Sequence, residues 1–156
     1  STTGGKYLKD IGQSVKVWDN WWVGLDPISE IRMWDYYGIR PWILKYVKRD
    51  GISLEAGCGL GRYNFYLNSL GIKTIGLDFS IDLINKLNLW QKKKEFNVQF
   101  ISGDVCDLPF KDSYLSTYLS FGVIEHFEEG PHRMSCERGK RLIQLSERVT
   151  RTWIAY

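Results

Sequence analysis

The chain has 156 residues, is 44% hydrophobic and 25% charged and carries a formal net charge of +3, enough for one domain with a real core. Its cysteines, Cys58, Cys106 and Cys136, show no paired C-x-x-C spacing, which speaks against a zinc site or a disulfide framework and for a reduced, cytoplasmic setting. No signal-like segment and no apolar run of membrane-spanning length is present, which speaks against secretion and against a membrane partner.

Residues 1–6 read as a loose terminus. Trp18, Trp21, Trp22, Trp34, Tyr36, Tyr37 and Trp42 then crowd a segment ending near residue 49. Its pattern predicts helices, the last opened by Pro41. We read residues 1–49 as an aromatic-rich helical segment packed on a core formed by residues 50–156. Some of these rings would pack onto the core, while Tyr7, Trp18, Trp21, Trp22 and Arg32 could act as a lid.

The next stretch, Leu54-Glu55-Ala56-Gly57-Cys58-Gly59-Leu60-Gly61-Arg62, reads as a strand over 52–56 running into a ligand-binding turn. Glycine takes positive φ cheaply and has no side chain to block a ligand, so Gly57, Gly59 and Gly61 allow a sharp bend against a bound molecule. The following helix, predicted over 61–70, offers its free N–H groups there. A pyrophosphate-binding turn would read G-x-G-x-x-G, but here the third glycine comes one residue early.

Further strands are predicted over 73–78, ending in Asp78 before Phe79, over 98–103, followed by Asp104 and Val105, and over 114–120, ending in Ser120. A helix is expected over 81–93 and another over 131–147, with a possible strand over 149–155. Alternating strands and helices imply an α/β, Rossmann-like, mostly parallel sheet with helices on both faces. Glu55, Asp78, Asp104 and Ser120 would then meet at the carboxyl edge of the sheet, where open α/β folds bind ligands. Asp78 stands where a second strand would place an acid on a ribose diol, and a carboxylate can accept two neighbouring hydroxyls. Asp82, Asp107 and Asp112 read instead as helix caps or solvated loop residues.

The pieces E-A-G-C-G-L-G-R, G-L-D-F-S, G-D-V-C-D-L-P-F and S-F-G-V-I-E-H-F, in that order, closely resemble a class I S-adenosylmethionine-dependent methyltransferase over residues 30–131. The resemblance implies methyl transfer to a small-molecule acceptor by in-line displacement, leaving S-adenosylhomocysteine. By it, Glu55 and the Gly57, Gly59 and Gly61 turn would hold the methionine moiety, Asp78 the ribose hydroxyls, and Asp104, Val105 and Phe79 the adenine, beside Ser120. Catalytic helpers would be sought among Glu125, His126 and Tyr7. No metal is implied, and a His126, His132 and Cys136 cluster matches no standard site.

The C-terminal stretch departs from this pattern. Residues 131–156 hold six Lys or Arg against two Glu, leaving 15 basic and 16 acidic residues before them, and the family's Pro-Gly-Gly-like closure is missing. A truncated or altered sheet is expected, atypical from residue 131, with an exposed edge along Arg148 to Tyr156 that could pair two copies. The nearly neutral bulk, with Lys45, Lys48, Arg49 and Lys92 to Lys94 as solvated helix ends, argues against a nucleic-acid partner. Two other readings stand beside methyl transfer: a non-catalytic cofactor-binding or interaction module, and an NAD(P)-dependent oxidoreductase, which the glycine spacing disfavours.

Overall fold

The computed structural model describes residues 24, 26–33, 38–123, 144, 146–150 and 152–155. In chain order they form α1 (Pro27–Arg32), α2 (Arg40–Tyr46), β1 (Ile52–Ala56), α3 (Arg62–Ser69), β2 (Lys73–Asp78), α4 (Ile81–Gln91), β3 (Gln99–Ser102), β4 (Thr117–Ser120) and β5 (Trp153–Ala155). The five strands make one sheet in the order β3-β2-β1-β4-β5, and every neighbouring pair is parallel. All carboxyl ends therefore open on one edge, and the chain reverses its direction of travel across the sheet beside β1.

Strand periodicity sorts the residues onto two faces. Leu54, Ala56, Ile75, Leu77 and Tyr118 point into a core shared with Val105, Cys106, Leu108, Leu115 and Val149. Leu119, next to Tyr118, faces the other way and packs with Ile39 just before α2, Ile43 of α2 and Tyr63 and Leu67 of α3. Phe65 of α3, Trp90 of α4, Phe96 and Phe100 complete that side, Phe65 meeting the other three rings at centroid distances of 4.8 to 5.3 Å. Tilted contacts of this kind add to area burial because the ring edges are positive and the faces negative.

Local sequence explains the helix limits. Asp26 caps α1 through the Ile28 N–H, with Pro27 in the first turn, and Ser80 caps α4 through the Leu83 N–H at 3.2 Å. Gln91 ends α4 by donating to the Val98 carbonyl and accepting from the Val98 N–H, which fixes the entry to β3. Asp82 and Asp107 are exposed, as expected, and Asp112 pairs with Arg148 at 2.7 Å.

Two expectations are corrected. The strand expected over 114–120 is confined to Thr117–Ser120, because the N–H groups of Ser113 and Leu115 are taken by the carbonyls of Arg148 and Val149. The strand expected over 149–155 is confined to Trp153–Ala155, since residues 146–149 are helical and Val149 packs into the core beneath the sheet. Most of the helix expected over 131–147 lies outside the described residues, as do Tyr7, Trp18, Trp21, Trp22, Trp34, Tyr36, Tyr37, Glu125, His126, His132 and Cys136.

Candidate functional site

At the carboxyl edge of the sheet, β1 passes into α3 through a turn with Gly57, Gly59 and Gly61 at φ of 75°, 52° and 72°. L residues with side chains rarely adopt this region, so the alternating glycines are a conformational requirement. Packing adds to it. A Cβ on Gly57 would collide with Val123, and one on Gly61 would stand 2.8 Å from the Phe100 ring.

Backbone and carboxylate bonds hold the turn. Gly57 and Cys58 donate their N–H groups to the Leu77 carbonyl at 2.7 and 3.0 Å. The Asp78 carboxylate then accepts from Gly59 through Oδ2 and from Ser80 through Oδ1, each at 3.1 Å. One buried acid thus joins the end of β2, the start of α4 and the glycine turn. A carboxylate has about four lone-pair sites, so two N–H groups do not by themselves fill it.

Glu55 sits at the other end of the turn. It is buried, and its Oε2 accepts the Asn64 N–H at 3.1 Å, so it caps α3 in place of Gly61, which has no side chain to do so. Burial raises its pKa from 4.5 to about 8, the Asn64 N–H and Arg62 opposing that rise and Asp78 adding to it. Burial likewise pushes the Cys58 thiol well up, and its Sγ contacts only the neighbouring Gly59 carbonyl at 3.7 Å among the described hydrogen bonds, so it reads as a small turn residue.

Across the edge, the Asp104 carboxylate accepts the Cys106 N–H at 2.8 Å, a local turn that fixes the chain after β3. Asp104 is half-buried, Val105 is buried, and Phe79 beside Asp78 is 37% exposed, so an aromatic face is open next to the ribose-binding candidate. Ser120 ends β4 buried, with its Oγ lacking a partner among the described residues. The structure therefore brings Glu55, the three glycines, Asp78, Phe79, Asp104, Val105 and Ser120 to the edge where the sequence places them. Glu125, His126 and Tyr7 are outside the described residues.

Two contributors escape sequence reasoning. Arg62, the first residue of α3, reaches α1, its Nε and Nη2 meeting Glu30 Oε2 at 3.0 and 2.5 Å. With Ile31 packed on the cluster that includes Cys58 and Leu60, this pair fastens α1 beside the turn. Asn64 is the other, its amide donating to Thr74 Oγ1 and to the Ile75 carbonyl. Its place between the aromatic residues Tyr63 and Phe65 on the first turn of the helix was the available signal for it.

Comparison with known proteins gives the family and the fold. A family model described as a methyltransferase domain matches residues 54–146. The protein MJ0638 of Methanocaldococcus jannaschii is 34% identical over 79 residues, covering 51% of this chain and 31% of that protein. The crystal structure of PH0226 from Pyrococcus horikoshii superposes with a TM-score of 0.66 at 29% identity, over 80% of this chain and 55% of that one. A SAM-dependent methyltransferase structure from Methanosarcina mazei shares the fold, with a TM-score of 0.62 at 20% identity over 71% and 52% of the two chains. The chain belongs to the methyltransferase-domain family, class I, with the Rossmann-like fold. It spans about a third of the curated relative and about half of the two solved chains.

Proposed function

We propose that this domain binds S-adenosylmethionine on the β1–α3 turn and directs its methyl group to a small-molecule acceptor by in-line displacement. The observation that carries the reading is the Asp78 carboxylate, which orders the Gly59 N–H while standing beside the exposed Phe79 ring. Family membership supports it. When bound, the cofactor supplies an activated methyl carbon on a sulfonium leaving group, and most of the reactivity is its own.

The residues present fit such a group. Glycines free of Cβ atoms let a ligand lie against the backbone, and the positive end of α3 suits a carboxylate. Acids at Glu55, Asp78 and Asp104 suit a ligand with cationic centres better than a pyrophosphate. Asp78 would hold the ribose hydroxyls, Asp104 and the Val105 N–H the adenine, with Phe79 against the ring. The protein's part is then to align donor and acceptor and to exclude water, which is worth several kcal/mol when reacting atoms are held in contact geometry. No helix among the described residues is long and apolar enough to cross a membrane.

The test is isothermal titration with S-adenosylhomocysteine and with NAD, followed by methyl transfer from isotopically labelled cofactor to a panel of small acceptors. Saturable binding of the former at micromolar concentration, with none of the latter, is expected. The reverse order would reject the reading.

A further inference from the structure

Asn64 is fully buried on the first turn of α3, and its amide orientation is fixed by what it touches. Nδ2 donates to Thr74 Oγ1 at 2.7 Å and to the Ile75 carbonyl at 3.0 Å. A backbone carbonyl can only accept, so the NH2 group faces Thr74 and Ile75 and Oδ1 is turned away from those two partners. Oδ1 has no donor among the described residues, an expensive condition for a buried amide oxygen.

The place it occupies identifies the missing donor. Oδ1 lies 2.8 Å from where a Cβ on Gly76 would stand, and Gly76 is the register partner of Glu55 on the adjacent strand. Parallel neighbours are about 4.8 Å apart and present their side chains on the same face, so the Glu55 carboxyl and Asn64 Oδ1 share the space above Gly76. The two residues already touch through the Asn64 N–H and Glu55 Oε2. An ionised carboxylate offers only acceptors to an amide oxygen, whereas a neutral one offers an O–H.

The surroundings favour the neutral form. Among the described residues, the charged or titratable groups facing Glu55 are Arg62 from α3, Asp78 from β2 and Cys58 from the turn. Arg62 is engaged by Glu30 of α1, and from β4 the register partner is the apolar Leu119.

We propose that in the ligand-free turn Glu55 carries a proton donated to Asn64 Oδ1, that a cationic ligand expels it, and that Asn64 is the positioning residue for this exchange. The proposal rests on the cofactor reading above. The Glu55 O–H bond breaks, its electron pair stays on the carboxylate, and the proton passes to the buffer. The ligand's ammonium then neutralises the anion, which keeps the Asn64 N–H as a donor but no longer donates to Oδ1.

The experiment is titration of S-adenosylhomocysteine at pH 7 in phosphate and in imidazole, whose different ionisation enthalpies report the protons released. Close to one proton per ligand is expected for the wild type and none for Glu55→Gln, whose amide still accepts from the Asn64 N–H and donates to Oδ1. Affinity should rise well over tenfold between pH 6 and 8 in the wild type, since release of one proton per ligand means about tenfold per pH unit, and stay flat in Glu55→Gln. Asn64→Ala should release less than half as much. If that variant does not fold, Glu55→Gln decides. Tight binding without proton release, or release unchanged in Glu55→Gln, overturns the proposal and leaves the cofactor reading standing. No binding of S-adenosylhomocysteine at all overturns both.

Discussion

At Asp78 a single carboxylate holds two backbone N–H groups from different segments, and removing it acts on the turn and on any ligand together. Asp78→Ala should weaken S-adenosylhomocysteine binding by about 1–3 kcal/mol through lost charge-assisted hydrogen bonds, measured by calorimetry. An unchanged dissociation constant would separate Asp78 from the ligand. Gly57→Val should abolish binding while leaving most of the helical circular dichroism, because the new side chain meets Val123 at a positive φ. Glu55 makes a prediction on stability. Its pKa rises from 4.5 in the unfolded chain to about 8 in the fold, so its contribution is fully present below pH 4.5 and is lost as pH rises through 8. The ligand-free melting temperature should therefore fall between pH 5 and 8.5, and Glu55→Gln should flatten the trend in differential scanning fluorimetry. Glu55, Asp78 and the glycines were legible because a turn beside a sheet edge demands those residue types in those places. Asn64 was not, since the carbonyl and carboxyl groups that give it meaning come from two strands that only the fold brings beneath it.

The elements followed local chemistry closely where that chemistry was decisive. β2 runs over the expected 73–78, and α3 and α4 fall within the expected helices, α4 closing at Gln91 where an amide bridges to Val98. β4 and β5 were less legible, because the chain before each is claimed by contacts between residues 113–115 and 148–149 that local periodicity does not encode. α1 is a short helix of six residues, too short to stand on propensity alone. Its anchoring falls to Ile31 and to the Glu30–Arg62 pair, whose side chains are 21% and 16% exposed. Glu30→Gln should cost about 1 kcal/mol, as expected for loss of a partly buried charged hydrogen bond. Hydrogen exchange should show faster exchange at the Met33 amide, which closes α1, with little change at Leu54 in β1.

For the molecule as a whole, strand alternation and acidic strand ends sufficed to anticipate a parallel sheet whose carboxyl ends share one edge, and the family match places that sheet among methyltransferase domains. A ligand that binds only the folded state stabilises it by mass action, about 2.7 kcal/mol at a hundredfold excess over the dissociation constant. S-adenosylhomocysteine at that excess should raise the unfolding midpoint by several degrees, and NAD at equal concentration should leave it in place.

The order of strands across the sheet also bears on how the chain is born. β1 lies at the centre yet is the first of the described strands to leave the ribosome, and among these strands those up to residue 102 give it a neighbour only on the β2 side. Its opposite flank, later bonded to Thr117–Leu119, stays without hydrogen-bonding partners until β4 is synthesised. For that interval the nascent domain carries an open strand in what will be its interior, the kind of surface that recruits chaperones or misjoins neighbouring polysomal chains. Slow translation between residues 103 and 116 would lengthen the exposure, and quick delivery of Thr117–Ser120 would end it.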